Sequence, residues 1–529
     1  MNKPASSTKS NGNTKLSILL ALAMFVLVVD TSLMNVSLSS VVQDLNTTVS
    51  TVQSAIALEA LVSAAFILIS SKLGDIFGRK RAYITGLIGY AIGALAMTLT
   101  SHVGAIFIFW AIIGGLGASL LLPAMQSLIH GNFSGASQKK TYALVGAAAA
   151  IAAAVGPLLG GFLTTFISWR VGFLMEVVII TIILLNAGLI KDVPFKGPKK
   201  IDSVGALLSI VGMGGVVLGI LLWQEGAESV GFVIGIGIIG LAMLANWLRK
   251  RKQQNKVALI DPGLFKLPHF RLGISQAMMQ NIILGGTMIA LPIFLQMTLE
   301  YNAMQTGLTM APLSLTMFFS AMLAGKRSGK RRSSIVIFTG FLLSTAGLSM
   351  IIPLVPRADS GWALVFPLVI CGAGLGILVS QLNNYTLAPI KEERISEAAG
   401  VNSAAGSFGL SFGLAMAGGI MLAILSFSFT NLTKQSTIIP PNQQQQIYST
   451  LETDAEIMSN SQLQNQLSDE PAEIQSAVLE INSQARSRSL QIALLVPIVA
   501  GIIGIINALR MTKLPDLKPS AMAETANLG

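Results

Sequence analysis

Three acids stand inside long apolar runs of the sequence: Asp30, Glu59 and Glu176. A charge at the centre of a membrane helix costs about 2.5–3.5 kcal/mol on insertion scales, so two ionised, central acids would cost roughly 5–7 kcal/mol. Removal from water disfavours the charged form of a carboxyl, and the chemistry that suits such acids is reversible proton uptake. The competing role is a plain hydrogen bond between packed helices. Asn35, Gln126, Gln280, Asn281, Gln381 and Asn384 form a second polar set in apolar runs. They either face a cargo or tie helices together, each tie contributing about 0.6 kcal/mol.

Other chemistries lack their residues. One cysteine, Cys371, and three histidines exclude an internal disulfide and Cys/His metal clusters. The G-x-x-x-x-G-K-[ST] phosphate loop is absent, since Gly325-Lys326 and Gly329-Lys330 are each followed by arginine. No nucleophile-and-base constellation stands out. No cofactor, no metal and no enzymatic activity are expected.

The elements that must position these acids follow from composition. Of 529 residues, 52% are hydrophobic and 11% charged, with a mean hydropathy of +0.69. A soluble chain carries about 25% charged residues, so this chain belongs in a lipid bilayer. The 51 glycines and 22 methionines suit closely packed membrane helices. About 20 apolar residues cross a bilayer core. On that measure the sequence predicts about fourteen spans: 16–38, 52–71, 82–100, 104–128, 142–166, 171–190, 203–223, 230–248, 272–298, 305–325, 334–355, 362–388, 397–428 and 490–511. Trp110, Trp223 and Trp247 read as interfacial anchors, and Glu176 reads as lying near the outer surface.

Lys and Arg gather in alternate connections, 72–81, 129–141, 191–202, 249–271, 326–333 and 389–396. Retention of basic loops inside the cell makes these cytoplasmic, together with both termini. The net charge of +11 is therefore topological and does not point to nucleic acid. The expected organisation is a cytoplasmic tail 1–15, a six-helix bundle 16–190, two additional helices 203–248, five helices of a second bundle 272–428, an extracytoplasmic segment 429–489, a last helix 490–511 and a cytoplasmic tail 512–529. Residues 429–489 combine Gln443–Gln446 with scattered apolar residues, which suits either an amphipathic helical hairpin or partial disorder.

Between the second and third spans the chain reads Ser71-Lys72-Leu73-Gly74-Asp75-Ile76-Phe77-Gly78-Arg79-Lys80-Arg81. This resembles the gate signature of the major facilitator superfamily, G-x-L-a-D-r-x-G-R-K-x, with Ser71 in place of the first glycine. Gly146 followed by Gly156-Pro157-Leu158-Leu159-Gly160-Gly161 resembles that family's antiporter motif. Val29-Asp30-Thr31-Ser32-Leu33-Met34-Asn35-Val36-Ser37-Leu38-Ser39 is similar to the first-span element of its fourteen-helix drug:proton antiporters, with Ser39 replacing a proline. Ser168-Trp169-Arg170 and Leu291-Pro292 with Gln296 are also family-like.

One departure stands in the fourth span, where counting back from Pro123 puts Ala111 at the place of the family's coupling arginine. The resemblance implies an all-α integral membrane fold of two six-helix bundles plus two extra helices. It implies a gate at Leu73, Gly74, Asp75, Gly78, Arg79, Lys80 and Arg81, and a bending element at Gly146, Gly156, Pro157, Gly160 and Gly161. With the arginine missing, proton coupling would fall on Asp30, Glu59 and Glu176. The expected function is proton-coupled export of amphipathic cationic compounds by a monomer in the inner membrane whose partners are a small-molecule substrate, protons and lipid. Export of one metabolite, such as a siderophore or amino acid, is the alternative, and a transport-inactive sensor or scaffold a further one.

Overall fold

The computed structural model describes residues 14–133, 135–192, 201–224, 229–327, 331–358, 360–390, 394–440 and 471–515, with a few positions between the last two stretches. Ser134 and most of 441–470 lie outside the described residues. The described residues are helical, joined by turns and short connections, with no strand among them.

The helices are α1 Thr14–Asp44, α2 Val49–Phe77, α3 Arg79–Leu99, then α4, which starts at Val103–Ala105, passes through a π-helical stretch Ile106–Gly114 and continues as Gly115–Asn132. They continue with α5 Gly135–Phe166, α6 Trp169–Leu185, α7 Ser203–Gln224, α8 Val230–Gln253, α9 Pro268–Met297, α10 Ala303–Lys326, α11 Ser333–Leu354, α12 Val365–Leu387 and α13 Ile395–Gln435. The last, α14, runs as Ala472–Ala493 and, after Leu494, Leu495–Thr512. Among the described residues thirteen helices are long and apolar enough to cross a membrane. At 17 residues α6 is the short one, so fourteen spans is an approximate count.

Local chemistry sets the boundaries. Thr48 caps α2 by accepting from Thr51 N at 3.1 Å, and Asn302 with Gln305 closes a capping box on α10. The α2–α3 break falls at Gly78, whose φ of +105° suits glycine. A Cβ there would also meet the Asp192 carboxylate at 2.6 Å.

In the first bundle α1 packs on α5 and α6, α3 on α4 and α6, and α2 on α4. In the second, α9 packs on α13 and α14, α10 on α12, and α11 on α12 and α14. The bundles meet along α2–α13, α5–α10 and α1–α9. The extra pair α7–α8 packs on itself, and α7 lies against both α2 and α13. Leu99, Phe162, Phe232, Ile239, Phe319 and Ile502 are exposed on the perimeter, as expected where the solvent is hydrocarbon.

The α13–α14 region departs from the expected spans. α13 continues to Gln435 and α14 begins at Ala472, so helices flank both ends of the segment expected as 429–489. Ile474, Ala477, Val478, Ile481 and Ala485 repeat at helical spacing and form a small core with Leu425, Phe429 and Ile439. This is an amphipathic pattern that a search for apolar runs passes over.

Lys72, Arg79, Lys80, Arg81, Arg249–Lys252, Lys326, Arg327 and Arg394 all lie at one end of the helices, called here the basic face. A polar knot holds the extra pair there. Asp202, buried, accepts from Trp247 Nε1 at 3.0 Å, Arg251 at 3.1 Å, Gly205 N at 3.1 Å and Leu259 N at 3.2 Å. Burial pushes its carboxyl up, but the donors, Trp247 first, outweigh that and hold it below the ordinary carboxylate range. Asp261 joins Lys252 at 2.8 Å and Arg394 at 2.6 Å, which ties the α8–α9 connection to the start of α13. Trp247 is thus a hydrogen-bond donor to Asp202, whereas Trp223 is exposed as an anchor would be.

Candidate functional site

Asp30 sits at the middle of the 31-residue α1 and is 1% exposed. Its carboxylate accepts from the Tyr90 hydroxyl on α3 and from Trp110 Nε1, which lies 3.2 Å and 3.1 Å from the two oxygens. Trp110 comes from the π-helical part of α4 and is 2% exposed. The expected interfacial anchor is therefore a buried donor to the first acid. The signal available in the sequence was its position, mid-span and next to Ala111. Tyr90 was missed because an isolated tyrosine among the glycines of α3 carries no pattern of its own.

Glu176 is corrected as well. It is fully buried, and neither carboxylate oxygen has a hydrogen-bond partner. It lies one helical turn beyond Phe173, whose ring stands edge-on to Trp110 at 6.3 Å and to Trp169 at 6.0 Å. Glu59 on α2 is buried, and the charges of Asp30, Glu59 and Glu176 act on one another. Five helices thus converge three acids in the first bundle. Among the described residues no Lys or Arg forms an ion pair with any of the three. Buried charges are ordinarily paired, so this cluster is suited to take up protons or a cationic ligand.

The aromatic series Trp110–Phe173–Trp169 leads from the acids to the face opposite the basic one. There Asp44 accepts from Trp169 Nε1 at 2.9 Å and pairs with Arg170, beside a cleft of about 380 Å³.

The small-residue motif of α5 divides between two neighbours. A Cβ on Gly156 would lie 2.6 Å from Ser32 Cβ, and one on Gly160 3.0 Å from Leu33 Cα, so these glycines seat α5 on α1 beside Asp30. A Cβ on Gly161 would lie 2.5 Å from the Ala303 carbonyl, and Gly307 lies against the Pro157 carbonyl, so the other edge seats α5 on α10 of the second bundle. Gly146 is exposed, with open space around it. Toward the same end of the molecule Gln296 accepts from Ser39 N at 3.0 Å and donates to Val36 O at 2.8 Å. A proline at position 39 would have no N–H to give.

In the gate loop Asp75 pairs with Arg79 at 3.1 Å, and Lys80 N donates to Asp192 at 3.1 Å. Leu73 and Gly74 lie near the end of α2, Gly78 at the break and Arg81 in the first turn of α3, and a Cβ on Gly400 of α13 would lie 3.9 Å from Ser71 Oγ. Of the amides, Asn35 is buried with both polar atoms unpartnered. Gln381 donates to Ala324 O at 3.2 Å and Asn281 to Ala277 O at 2.8 Å. Gln280 is buried, and Gln126 and Asn384 are half-buried. The structure gathers the acids closely but leaves these amides spread over α1, α4, α9 and α12.

Comparison with known proteins agrees with this architecture. The Major Facilitator Superfamily profile matches residues 20–414. The chain is 24% identical over 416 residues to a probable transport protein, HsrA, of Haemophilus influenzae, covering 78% of this chain and 88% of that one. It is 26% identical over 410 residues to the multidrug resistance protein Stp of Mycobacterium tuberculosis, covering 77% and 75%. Among solved structures, a bacterial homolog of the human lysosomal transporter Spinster superposes with a TM-score of 0.63 at 13% identity, covering 97% of this chain and all of that one. A D-xylose-proton symporter gives 0.55 at 14% identity, covering 77% and 90%. The match across most of the chain and the shared fold lead to one conclusion: this chain belongs to the major facilitator superfamily of membrane transporters.

Proposed function

We propose that this transporter is a proton-coupled antiporter that exports amphipathic cationic compounds by alternating access, working as a monomer in the inner membrane with its basic face and both termini in the cytoplasm. The observation that carries this reading is the buried acid cluster with no basic partner among the described residues. Protons or a cation satisfy such a cluster equally well, so the two compete for it. A cation entering from the cytoplasm displaces protons to that side. After the bundles rock about the midplane, protons arriving from outside displace the cation outward, and the reloaded carrier returns.

The contacts support the two ends as separate gates. Gln296 of α9, bonded to Ser39 and Val36 of α1, and the α5–α10 seam join the bundles at the external end, and the Asp75 loop lies at the cytoplasmic end. Names of relatives support export in general: they include a multidrug resistance protein, a puromycin resistance protein and a probable actinorhodin transporter. The last of these, with a cephamycin export protein, favours the narrower reading of one dedicated product.

The reading is tested in proteoliposomes by imposing a pH gradient and measuring accumulation of tetraphenylphosphonium and of neutral and anionic amphiphiles. Gradient-driven accumulation confined to cations is expected. Accumulation unaffected by dissipating the gradient would reject proton coupling, and strong preference for one neutral or anionic solute would favour the dedicated exporter.

A further inference from the structure

The acid site contains one irregular element. Ile106–Gly114 of α4 is π-helical, and it carries Trp110, the residue that covers Asp30. π segments interrupt α-helices chiefly at functional sites, and their hydrogen-bonded register holds an extra residue relative to α geometry. With 3.6 residues per turn, a one-residue change of register turns a side chain by about 100°.

The neighbours decide which half of α4 can turn. Beyond the π stretch the helix is fixed by close approaches: a Cβ on Gly115 would lie 2.8 Å from the Glu59 carbonyl, and one on Gly117 2.7 Å from Gly86 O and Tyr90 N. Before it the helix is lightly held. A Cβ on Gly104 would meet nothing within 4 Å, and within the stretch itself Ile108, Phe109 and Ile112 are exposed on the perimeter while Ile106, Trp110 and Ala111 face inward. Where Trp110 passes α3 it runs over Gly93, whose missing side chain leaves a smooth bearing: a Cβ there would lie 3.0 Å from Phe109 O and 3.3 Å from Trp110 Cα. With the far half fixed, loss of the extra residue brings the following residue into the place Trp110 leaves. That residue is Ala111, buried and without a polar group.

We propose that the π-helical stretch Ile106–Gly114 is the moving part of the acid site: rewinding it to α-helix swings Trp110 off Asp30, puts Ala111 in its place and opens the carboxylate to a proton or a cationic ligand. Trp110 is then a positioning residue, a neutral and removable cover. The device rests on the antiporter reading for its use, but not for its detection.

The test uses purified protein in detergent, without substrate or gradient, and follows labelling of Asp30 by dicyclohexylcarbodiimide with mass spectrometry. Trp110→Phe, which keeps the ring and removes the donor, is expected to raise labelling of Asp30 about ten-fold. Deletion of Ile113 removes the extra residue between Trp110 and the fixed half, so the α-helical form of this variant holds Trp110 in the place Ala111 would take and keeps Asp30 covered; labelling is expected to fall about ten-fold below that of the unaltered protein. A folded deletion variant with Asp30 labelled as fast as, or faster than, in the unaltered protein would overturn the proposal. Since the deletion can fail to fold, amide hydrogen exchange is also measured on the unaltered protein. Amides of 106–114 should exchange at least about ten-fold faster than those of 118–128 in the same helix, and equal protection would overturn the proposal. Failure of cation transport in proteoliposomes would strike the antiporter reading and leave both of these measurements standing.

Discussion

Asp30 and Glu59 differ in what holds them. Asp30 has two neutral donors, Tyr90 and Trp110, whereas Glu59 faces the charges of the other acids without a basic partner among the described residues. Asp30→Asn keeps the hydrogen bonds but removes the exchangeable proton, so it is expected to abolish uphill transport and spare exchange measured by counterflow. Glu59→Gln should weaken gradient-driven cation transport about a hundred-fold, the size of a typical proton-transfer contribution at its lower end. Full uphill transport by Asp30→Asn would return that acid to a packing role. Asp202 makes a contrasting prediction, because its carboxyl is held below the ordinary range by Trp247 and its other donors. A depressed folded value contributes stability above the unfolded value of about 4 and loses it as pH falls through the folded value. Asp202→Asn should therefore lower stability at neutral pH by about 1–3 kcal/mol, and the difference in thermal midpoint from the unaltered protein should shrink below about pH 4. A difference that stays constant down to pH 3 would show that the lost interactions are not those of the carboxylate. The acids themselves were legible as charges in apolar runs. Their donors were not, because Tyr90 and Trp110 reach Asp30 from 60 and 80 residues away in sequence, and hydrogen bonds of that separation leave no local pattern.

At the scale of elements, the α2–α3 turn and the α5 motif were the most legible parts, since turn chemistry and close helix contact each demand particular residue types in sequence order. Gly78 is required by its backbone, and Gly156, Gly160 and Gly161 by the neighbours that lie where side chains would be. The Asp75–Arg79 pair lies at the end of α2, next to the start of α13. Asp75→Asn removes a charged partner and little apolar surface, so the variant should insert and fold normally while its transport falls by about ten-fold or more. Normal efflux by a well-expressed Asp75→Asn protein would reduce this loop to a topological signal. The π-helical stretch of α4 was not legible, and the early start of α14 was legible only as one of two readings of 429–489, an amphipathic helical hairpin or partial disorder. A register change has no compositional mark, and α14 begins as a helix with one apolar face, too polar to register as a span.

For the whole molecule, alternation of basic loops and the family fold describe one arrangement of bundles, in which the extra pair α7–α8 is fastened at the basic face through Asp202 and Asp261. If that face is cytoplasmic, single cysteines introduced in 249–271 should resist membrane-impermeant reagents applied to intact cells, and those in 436–471 should react. The native Cys371 is buried and leaves the background low. Strong external labelling of 249–271 would invert the topology. The central claim, that proton and cation compete for one unpaired acid cluster, is tested most directly by substrate-induced proton release from the purified protein in weakly buffered detergent solution. Addition of tetraphenylphosphonium should release protons from the unaltered protein and release none from the double variant Asp30→Asn, Glu59→Gln. Release of the same size from the double variant would contradict the account and return both acids to the packing of helices.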